Sequence, residues 1–232
     1  NAVRWNIVSR NVTDLVDLPH AEKYDAQTLD VEQARMLLEA AKDSLIETLL
    51  LVAVTTGMRR GELLALRWSD IDFKHKVLYV RHSVGRVAGY GYVEGDPKSK
   101  TSRRKIMLPD AVLKSLNAQR ERQDQIKQKA GDQWQEHDLV FTNRHGRYMH
   151  FDMLMVRFHK LTDAAGLPRI RLHDLRHSAA TILLAKGVHP KVVQELLEHS
   201  SIRVTMDIYS HVLPSMQKEA SQTMDSLFSE EG

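Results

Sequence analysis

The chain of 232 residues is long enough to bury a core, and its 42% hydrophobic and 27% charged residues are ordinary for a globular protein. It contains no cysteine, which excludes disulfides, thiolate metal sites and thiol nucleophiles and fits a cytoplasmic location. The formal net charge of +3 is too small to indicate a partner by itself, and no stretch approaches the about 18 apolar residues of a membrane span.

The first third of the chain predicts a linker and two helices. Asn11–Leu29 is polar, contains a proline and lacks a helical period, so it is expected to be extended. A helix should follow, with Asp30 as its N-cap and Gln33 completing a capping box. A second and more apolar helix is expected from about Ser44 to Thr56 with Gly57 as its stop, since glycine is a common residue just after a helix C-terminus.

The rest of the chain predicts a small sheet followed by helices. A short third helix leads into Ile71–Leu108, where alternating residues and Gly and Pro punctuation predict about three antiparallel strands. A polar helix is expected from Asp110 to about Ala130, followed by an extended piece. The fold class expected is therefore mostly α with a small antiparallel β-sheet, an α+β fold. The remaining helices are expected at about Asp152–Ala165, Asp174–Lys186, Pro190–Glu198 and Ile202–Tyr209, with a tail helix after Pro214.

Positive charge is concentrated at two places. "KSKTSRRK", from Lys98 to Lys105, holds five cations and no anion, which suits either phosphate contact or a solvated hairpin tip. "RLHDLRH", beginning at Arg171, brings cations to the start of a helix, where the helix dipole disfavours them. His173 and Arg176 share a helix face there, and their donors suit a phosphate. The pattern therefore predicts an anion at this helix start.

Each of these signals also has an alternative explanation. Arg59 follows a helix-ending glycine, where it is available either to an anion or to Glu62. His173 and His177 are four residues apart and can share a metal ion, although the sequence offers neither an HExxH pattern nor a cysteine. Tyr209 by itself is typical of a core tyrosine with a satisfied hydroxyl.

Four motifs in order resemble the catalytic domain of the tyrosine recombinases, the phage integrase family. They are "TGMRRGEL", "HDLRHSAAT", "LLEHSS" and "TMDIYSHV", and the resemblance covers about Ala26–Phe228. It implies the fold of that catalytic domain and a site-specific recombinase that cleaves and rejoins DNA through a 3′-phosphotyrosine, without metal, ATP or another cofactor. It further implies integration and excision of a mobile element in the cytoplasm, on the nucleoid when DNA is bound.

The resemblance also assigns roles to residues. Tyr209 would attack phosphorus, His173 would help to remove its proton, and Lys98 would protonate the leaving 5′-oxygen. Lys100 is the alternative to Lys98, because the length of this hairpin varies in the family. The implied catalytic residues are Arg59, Lys98, His173, Arg176, His199 and Tyr209, with Glu62 in a supporting position. The implied DNA contacts are Lys100, Arg103, Arg104, Lys105 and Arg171.

The resemblance divides the chain into the end of a core-binding domain with its linker (1–25), a catalytic domain (26–212) and a C-terminal tail helix (213–232). Since residues 1–25 are too few for a whole core-binding domain, the chain is expected to be a fragment. The partners implied are double-stranded DNA with a crossover site, further protomers bound through the tail helix in a tetramer, and accessory DNA-bending or excision factors. The tail can instead pack on its own domain.

The same residues also fit other functions. A chromosome-dimer-resolving recombinase and a type IB topoisomerase share the implied chemistry, and a non-catalytic DNA-binding module shares the implied fold. A metal-dependent hydrolase using His173 and His177 is a further alternative.

Overall fold

The structure is a computed structural model, and it describes residues 3–11, 16, 27–95, 104–198, 201–210, 221, 224–225 and 228. Helices predominate in these ranges, as the sequence predicts, and the strands form two small antiparallel sheets. None of the helices in the described ranges is long and apolar enough to cross a membrane.

The first two helices follow their local signals. Helix α1 (Val31–Ala40) begins at the Asp30 N-cap, and the capping box with Gln33 is present as predicted. Helix α2 (Glu47–Thr56) starts later than Ser44, because a tight turn with Asp43 at φ 59° precedes it. Helix α2 ends at Gly57, which adopts the left-handed conformation with φ 60°. The glycine stop was therefore predicted correctly.

Five strands form two sheets where about three strands in one sheet were expected. Strands β1 (Ile71–Asp72), β2 (Val77–Val80) and β5 (Arg104–Met107) form one antiparallel sheet, with β2 in the middle. Strands β3 (Ser83–Val87) and β4 (Gly91–Gly95) pair only with each other among the described strands. The prediction missed the second sheet because the β-like run through β2 and β3 is continuous in sequence.

The helices of the C-terminal half lie close to their predicted positions. They are α4 (Asp110–Ala130), α5 (Phe151–Ala164), α6 (Asp174–Ala185) and α7 (Pro190–Leu197), followed by a helix over 202–210. Helix α3 (Arg60–Leu64) is short, because the chain after it turns to bond with the segment between α4 and α5. The predicted tail helix falls mostly outside the described residues.

Helix α2 lies at the centre of the core. It is apolar around most of its circumference and packs against α4 on one side and α6 on another. A smaller cluster joins α6 to α7 through Ala180, Leu184, Val193 and Leu197. A Cβ on Gly57 would lie 2.1 Å from the side chain of Leu197. The end of α2 and the end of α7 are thus in direct contact, and the functional site forms there.

Candidate active site

Arg59 lies at the junction of α2 and α3. Its Nη1 donates to Glu62 Oε1 at 2.8 Å, and its backbone N–H donates to Glu62 Oε2 at 2.9 Å. Burial lowers the pKa of Arg59, but the bonds to Glu62 and Glu198 outweigh this effect and raise it overall. The side chain remains 41% exposed. Arg59 is therefore held by Glu62 and still open to solvent. Its pairing with Glu62 and its availability to an external anion, the two explanations offered by the sequence, are thus compatible.

Arg176 is buried between two helix C-termini. Its Nη1 donates to the carbonyl of Gly57 at 2.7 Å, and its Nη2 donates to the carbonyl of Leu197. These carbonyls carry the partial negative charge of the α2 and α7 dipoles, which favours a cation at this place. Burial and the neighbouring guanidinium groups of Arg59 and Arg104 lower the pKa of Arg176 to about 9. An anion entering this site would relieve that repulsion.

Three successive carbonyls at the end of α7 each accept a hydrogen bond from a different arginine. Arg104 Nε donates to Leu196 O at 2.8 Å, Arg176 donates to Leu197 O, and Arg59 Nη2 donates to Glu198 O at 3.0 Å. The last carbonyls of a helix have no partner within the helix. The arginines therefore satisfy the last carbonyls of α7 and hold its C-terminal end, directly before residue 199 in the sequence.

Two carboxylates complete this cluster. Glu62 is 2% exposed, and burial alone would raise its pKa, but Arg104 and Arg59 lower it overall. Glu198 has φ 54° in the left-handed region, and its Oε2 accepts from Arg59 Nη1 at 3.0 Å and from Arg104 Nη1 at 3.2 Å. Three guanidinium groups and two carboxylates leave one net positive charge. This charge matches the single negative charge of a phosphodiester.

His173 is the N-cap residue of α6, directly before the helix that the sequence predicts from about Asp174. Its ring lies edge-on to that of His177, with 5.5 Å between the ring centroids. Burial lowers the pKa of both imidazoles, and for His173 the charges of His177 and Arg176 lower it further. A neutral imidazole can accept a proton near neutral pH. Within the described ranges, no group of three or more His, Asp or Glu side chains is placed to hold a metal ion.

The start of α6 already has an anion from the chain itself. Asp174 is fully buried, and it accepts from the Arg171 backbone N–H and from Arg171 Nη2, both at 2.8 Å. Asp174 therefore supplies part of the negative charge that the sequence predicts at this helix start. The Arg171 side chain remains 51% exposed.

Tyr209 lies on the helix 202–210 and is half-buried. It packs against the cluster between α6 and α7, which includes Leu197. Since the carbonyl of Leu197 bonds to Arg176, the cluster between α6 and α7 adjoins both the tyrosine and the arginines.

The segment that carries the candidate lysines has defined neighbours on both sides. Lys98, Lys100 and Arg103 lie outside the described residues, as does His199. Just before the segment, Glu94 accepts two hydrogen bonds from Arg67 Nη2, at 2.9 and 3.0 Å, and one from the Tyr148 hydroxyl. Just after it, β5 begins at Arg104.

Arg104 differs from its expected role as a surface contact for DNA. Its side chain is 8% exposed and bonds to Glu62, Glu198 and Leu196. Lys105, its neighbour, is exposed as expected. The sequence expectation for Arg104 fails because a local cluster of cations does not reveal which of them turns inward.

Glu198 is the site residue that the sequence patterns missed. A signal was available, because an acidic residue directly after the last turn of a helix is unfavourable next to the helix dipole. Such a residue indicates a cationic partner elsewhere in the chain. Here the partners are Arg59 and Arg104.

Comparisons with known proteins bear on this geometry. The chain is 36% identical over 215 residues to a protein named "Tyrosine recombinase XerC-like" from Caldanaerobacter subterraneus subsp. tengcongensis, covering 88% of the chain and 55% of that protein. It is 31% identical over 228 residues to the ICEBs1 integrase of Bacillus subtilis, covering 97% of the chain and 61% of that protein. The chain thus spans a little more than half the length of these relatives.

Solved structures agree with the fold. An integrase of the Tn1549 transposon, in complex with a circular intermediate DNA, matches with a TM-score of 0.72 at 22% identity, over 95% of this chain and 74% of that one. XerA recombinase matches with a TM-score of 0.65 at 23% identity, over 91% of this chain and 70% of that one. The sequence model described as the phage integrase family matches residues 27–216. This match extends over most of the chain and contains all four motifs, so the chain belongs to the phage integrase family of tyrosine recombinases.

Proposed function

We propose that the chain is the catalytic part of a site-specific DNA recombinase that acts in the integration and excision of a mobile element. The observation that carries the proposal is the arginine cluster with one excess positive charge, open to solvent at Arg59. Two preorganised guanidinium groups suit the nonbridging oxygens of a phosphodiester and stabilise the charge that develops during its cleavage. The names of the relatives, which include an ICEBs1 integrase and a Tn1549 integrase, support a mobile element.

The chemistry proceeds by two transesterifications. The Tyr209 oxygen forms a bond to phosphorus while the bond from phosphorus to the 5′-oxygen breaks. The tyrosine proton passes to His173, and Lys98 or Lys100 gives a proton to the leaving 5′-oxygen. The phosphotyrosine conserves the bond energy, so a second 5′-hydroxyl reverses the step without ATP. The lowered pKa of His173 supports its role, because a base must be unprotonated to accept a proton.

The remaining assignments belong to the same proposal. His199 hydrogen-bonds the phosphate, while Lys100, Arg103, Lys105 and Arg171 contact the DNA around it. Residues 1–25 end a core-binding domain and linker, 26–212 form the catalytic domain, and 213–232 form a tail helix that joins protomers in a DNA-bound tetramer. Accessory DNA-bending or excision factors act with it, in the cytoplasm where the DNA lies.

The test uses nicked duplexes that carry the attachment sequence found beside the gene. The nick releases the short fragment bearing the 5′-hydroxyl, so a covalent intermediate cannot be resealed. We expect wild-type protein in EDTA to form an adduct that mass spectrometry maps to Tyr209, and Tyr209→Phe to form none. An adduct that persists in Tyr209→Phe would place the nucleophile elsewhere. No adduct from the full-length protein on its own site would favour a non-catalytic DNA-binding module.

A second assay separates recombination from topoisomerase activity. A supercoiled plasmid without the attachment sequence is incubated with the same protein. A recombinase is expected to leave the plasmid supercoiled, because it requires its site and a partner duplex. Relaxation of this plasmid would favour a type IB topoisomerase.

A further inference from the structure

Arg104 makes four hydrogen bonds inside the arginine cluster. Its Nε donates to Leu196 O at 2.8 Å, and its Nη2 donates to Glu62 Oε2 at 2.9 Å. Its Nη1 donates to Glu62 Oε1 at 3.3 Å and to Glu198 Oε2 at 3.2 Å. A guanidinium has five N–H donors. These bonds therefore engage most of its donors and place its charge between two carboxylates.

The bonds join three separate parts of the chain. Glu62 is on α3 and holds Arg59, whereas Leu196 and Glu198 are at the end of α7, directly before residue 199. Arg104 itself is the first residue of β5, directly after residues 96–103. Each of these three parts carries or adjoins one of the groups assigned to the reaction.

We infer that Arg104 is a positioning residue, which fixes α3, the end of α7 and the start of β5 relative to one another. The inference rests on the proposed function, since it concerns the placement of Arg59, residue 199 and the lysine segment for that reaction. Arg104 does not touch the DNA phosphate in this scheme. It acts through Glu62 and through the α7 carbonyl instead.

The chemistry of the side chain explains why arginine is required. One planar fork reaches a carboxylate through two nitrogens and a carbonyl through the third, and lysine offers a single point charge on a flexible stem. Lysine at this position can neutralise Glu62, but it cannot bond Glu62, Glu198 and Leu196 together. Arg104→Lys is therefore expected to keep the positive charge but not to hold α3, the end of α7 and the start of β5 in place.

The experiment compares three variants of the chain. Arg104→Gln and Arg104→Lys change the proposed residue, and Arg122→Gln is the matched control. Arg122, on α4, also bonds a backbone carbonyl, Ser44 O at 2.9 Å, and lies 3.5 Å from a carboxylate, Glu47, but at the N-terminal end of α2 instead of its C-terminal end. It thus reports what the loss of such an arginine does to the fold alone.

The first measurement separates binding from chemistry on the nicked duplex. At saturating protein, both Arg104 variants are expected to lower the single-turnover cleavage rate by about 100-fold, the effect of a small misplacement of reacting groups. The Kd for DNA should be unchanged, and Arg122→Gln should cleave as wild type does. A raised Kd with an unchanged cleavage rate would make Arg104 a DNA contact and overturn the inference. An equal loss in Arg122→Gln would overturn it as well.

The second measurement needs no activity. Hydrogen exchange of the DNA-free chain is followed at the amides of α3 and α7. Arg104→Gln should accelerate exchange in both helices, and Arg122→Gln should leave both protected. If wild type forms no adduct while this exchange pattern appears, the proposed function fails and the positioning stands. Unchanged exchange in Arg104→Gln would overturn the positioning.

Discussion

At the scale of single residues, Glu62 is the carboxylate on which two arginines depend. It is 2% exposed and bonds both Arg59 and Arg104. Removing one partner from a buried ion pair costs about 3–5 kcal/mol when the other charge is left uncompensated. Glu198 still accepts from both arginines, so Glu62→Gln is expected to lower the free energy of unfolding at pH 7 by an amount toward the lower end of that range, measured by urea denaturation.

The same variant should also change the pH dependence of stability. The folded state holds the pKa of Glu62 below its ordinary value of 4.5, against the effect of burial, through Arg104 and Arg59. The folded protein then binds fewer protons than the unfolded chain in this range, so stability falls as pH falls. The difference between wild type and Glu62→Gln should be full at pH 7 and should shrink as pH falls below 4.5.

The control for this titration is Glu195→Gln. Glu195 is an exposed carboxylate on α7 that pairs with Lys191 at 3.5 Å, and surface pairs of this kind contribute little. Its removal should leave the acid-induced loss of stability unchanged. A constant difference between wild type and Glu62→Gln from neutral to acidic pH would contradict the prediction.

Residue-level predictions from sequence succeed where the signal is local. The pairing of Arg59 with Glu62 joins residues three positions apart, and it was one of two explanations offered. The bonds from Arg104 to Glu62 and Glu198 join residues 42 and 94 positions apart, and no spacing in the sequence encodes them. The cation cluster around Arg104 indicated anion contact. It could not indicate that the anions belong to the protein.

At the scale of secondary structure, caps and stops define the helices well. Asp30 and Gln33 begin α1, and Gly57 ends α2, because each acts on backbone groups within a few residues. The strands are harder to predict from the sequence, since no glycine or proline marks the break between β2 and β3 at Arg81. Strand pairing depends on contacts between residues that are far apart in sequence. Strand β5 pairs with β2, although the β3–β4 hairpin lies between them along the chain.

Gly57 connects this local signal to the site. An alanine there would have to adopt φ 60°, and its Cβ would lie 2.1 Å from the side chain of Leu197. The carbonyl of Leu197 accepts from Arg176, and Leu197 belongs to the cluster against which Tyr209 packs. Gly57→Ala is expected to destabilise by more than the about 1 kcal/mol of a left-handed non-glycine residue, since α7 must also move. Thermal unfolding and the cleavage rate at saturating protein should both fall.

Gly166→Ala is the matched control for that prediction. Gly166 has a similar φ of 63°, but a Cβ there has no atom within 4 Å. It should carry the backbone penalty alone and keep the cleavage rate of wild type. Equal effects of the two substitutions on thermal unfolding and on the cleavage rate would mean that backbone conformation alone accounts for them. The contact between α2 and α7 would then not affect function.

At the scale of the whole molecule, Leu29 is the first buried residue among those that the structure describes. Leu29 is fully buried, and its backbone N–H donates to Ser178 Oγ on α6 at 2.8 Å. The described residues before Gln27 are all exposed. These contacts of Leu29 are the basis for predicting that the folded unit begins near the boundary proposed at residue 26.

Two shortened chains test this boundary. Removal of residues 1–26 is expected to change the free energy of unfolding by less than about 0.5 kcal/mol, because the described residues among them, 3–11 and 16, are exposed and such positions contribute little to stability. Removal of residues 1–30 also deletes the buried Leu29 and the Asp30 cap of α1, and it should destabilise by about 3–6 kcal/mol. Urea denaturation of both chains measures the difference. A large loss in the first chain would mean that residues 1–26 contribute to the folded unit, and the boundary would then lie earlier.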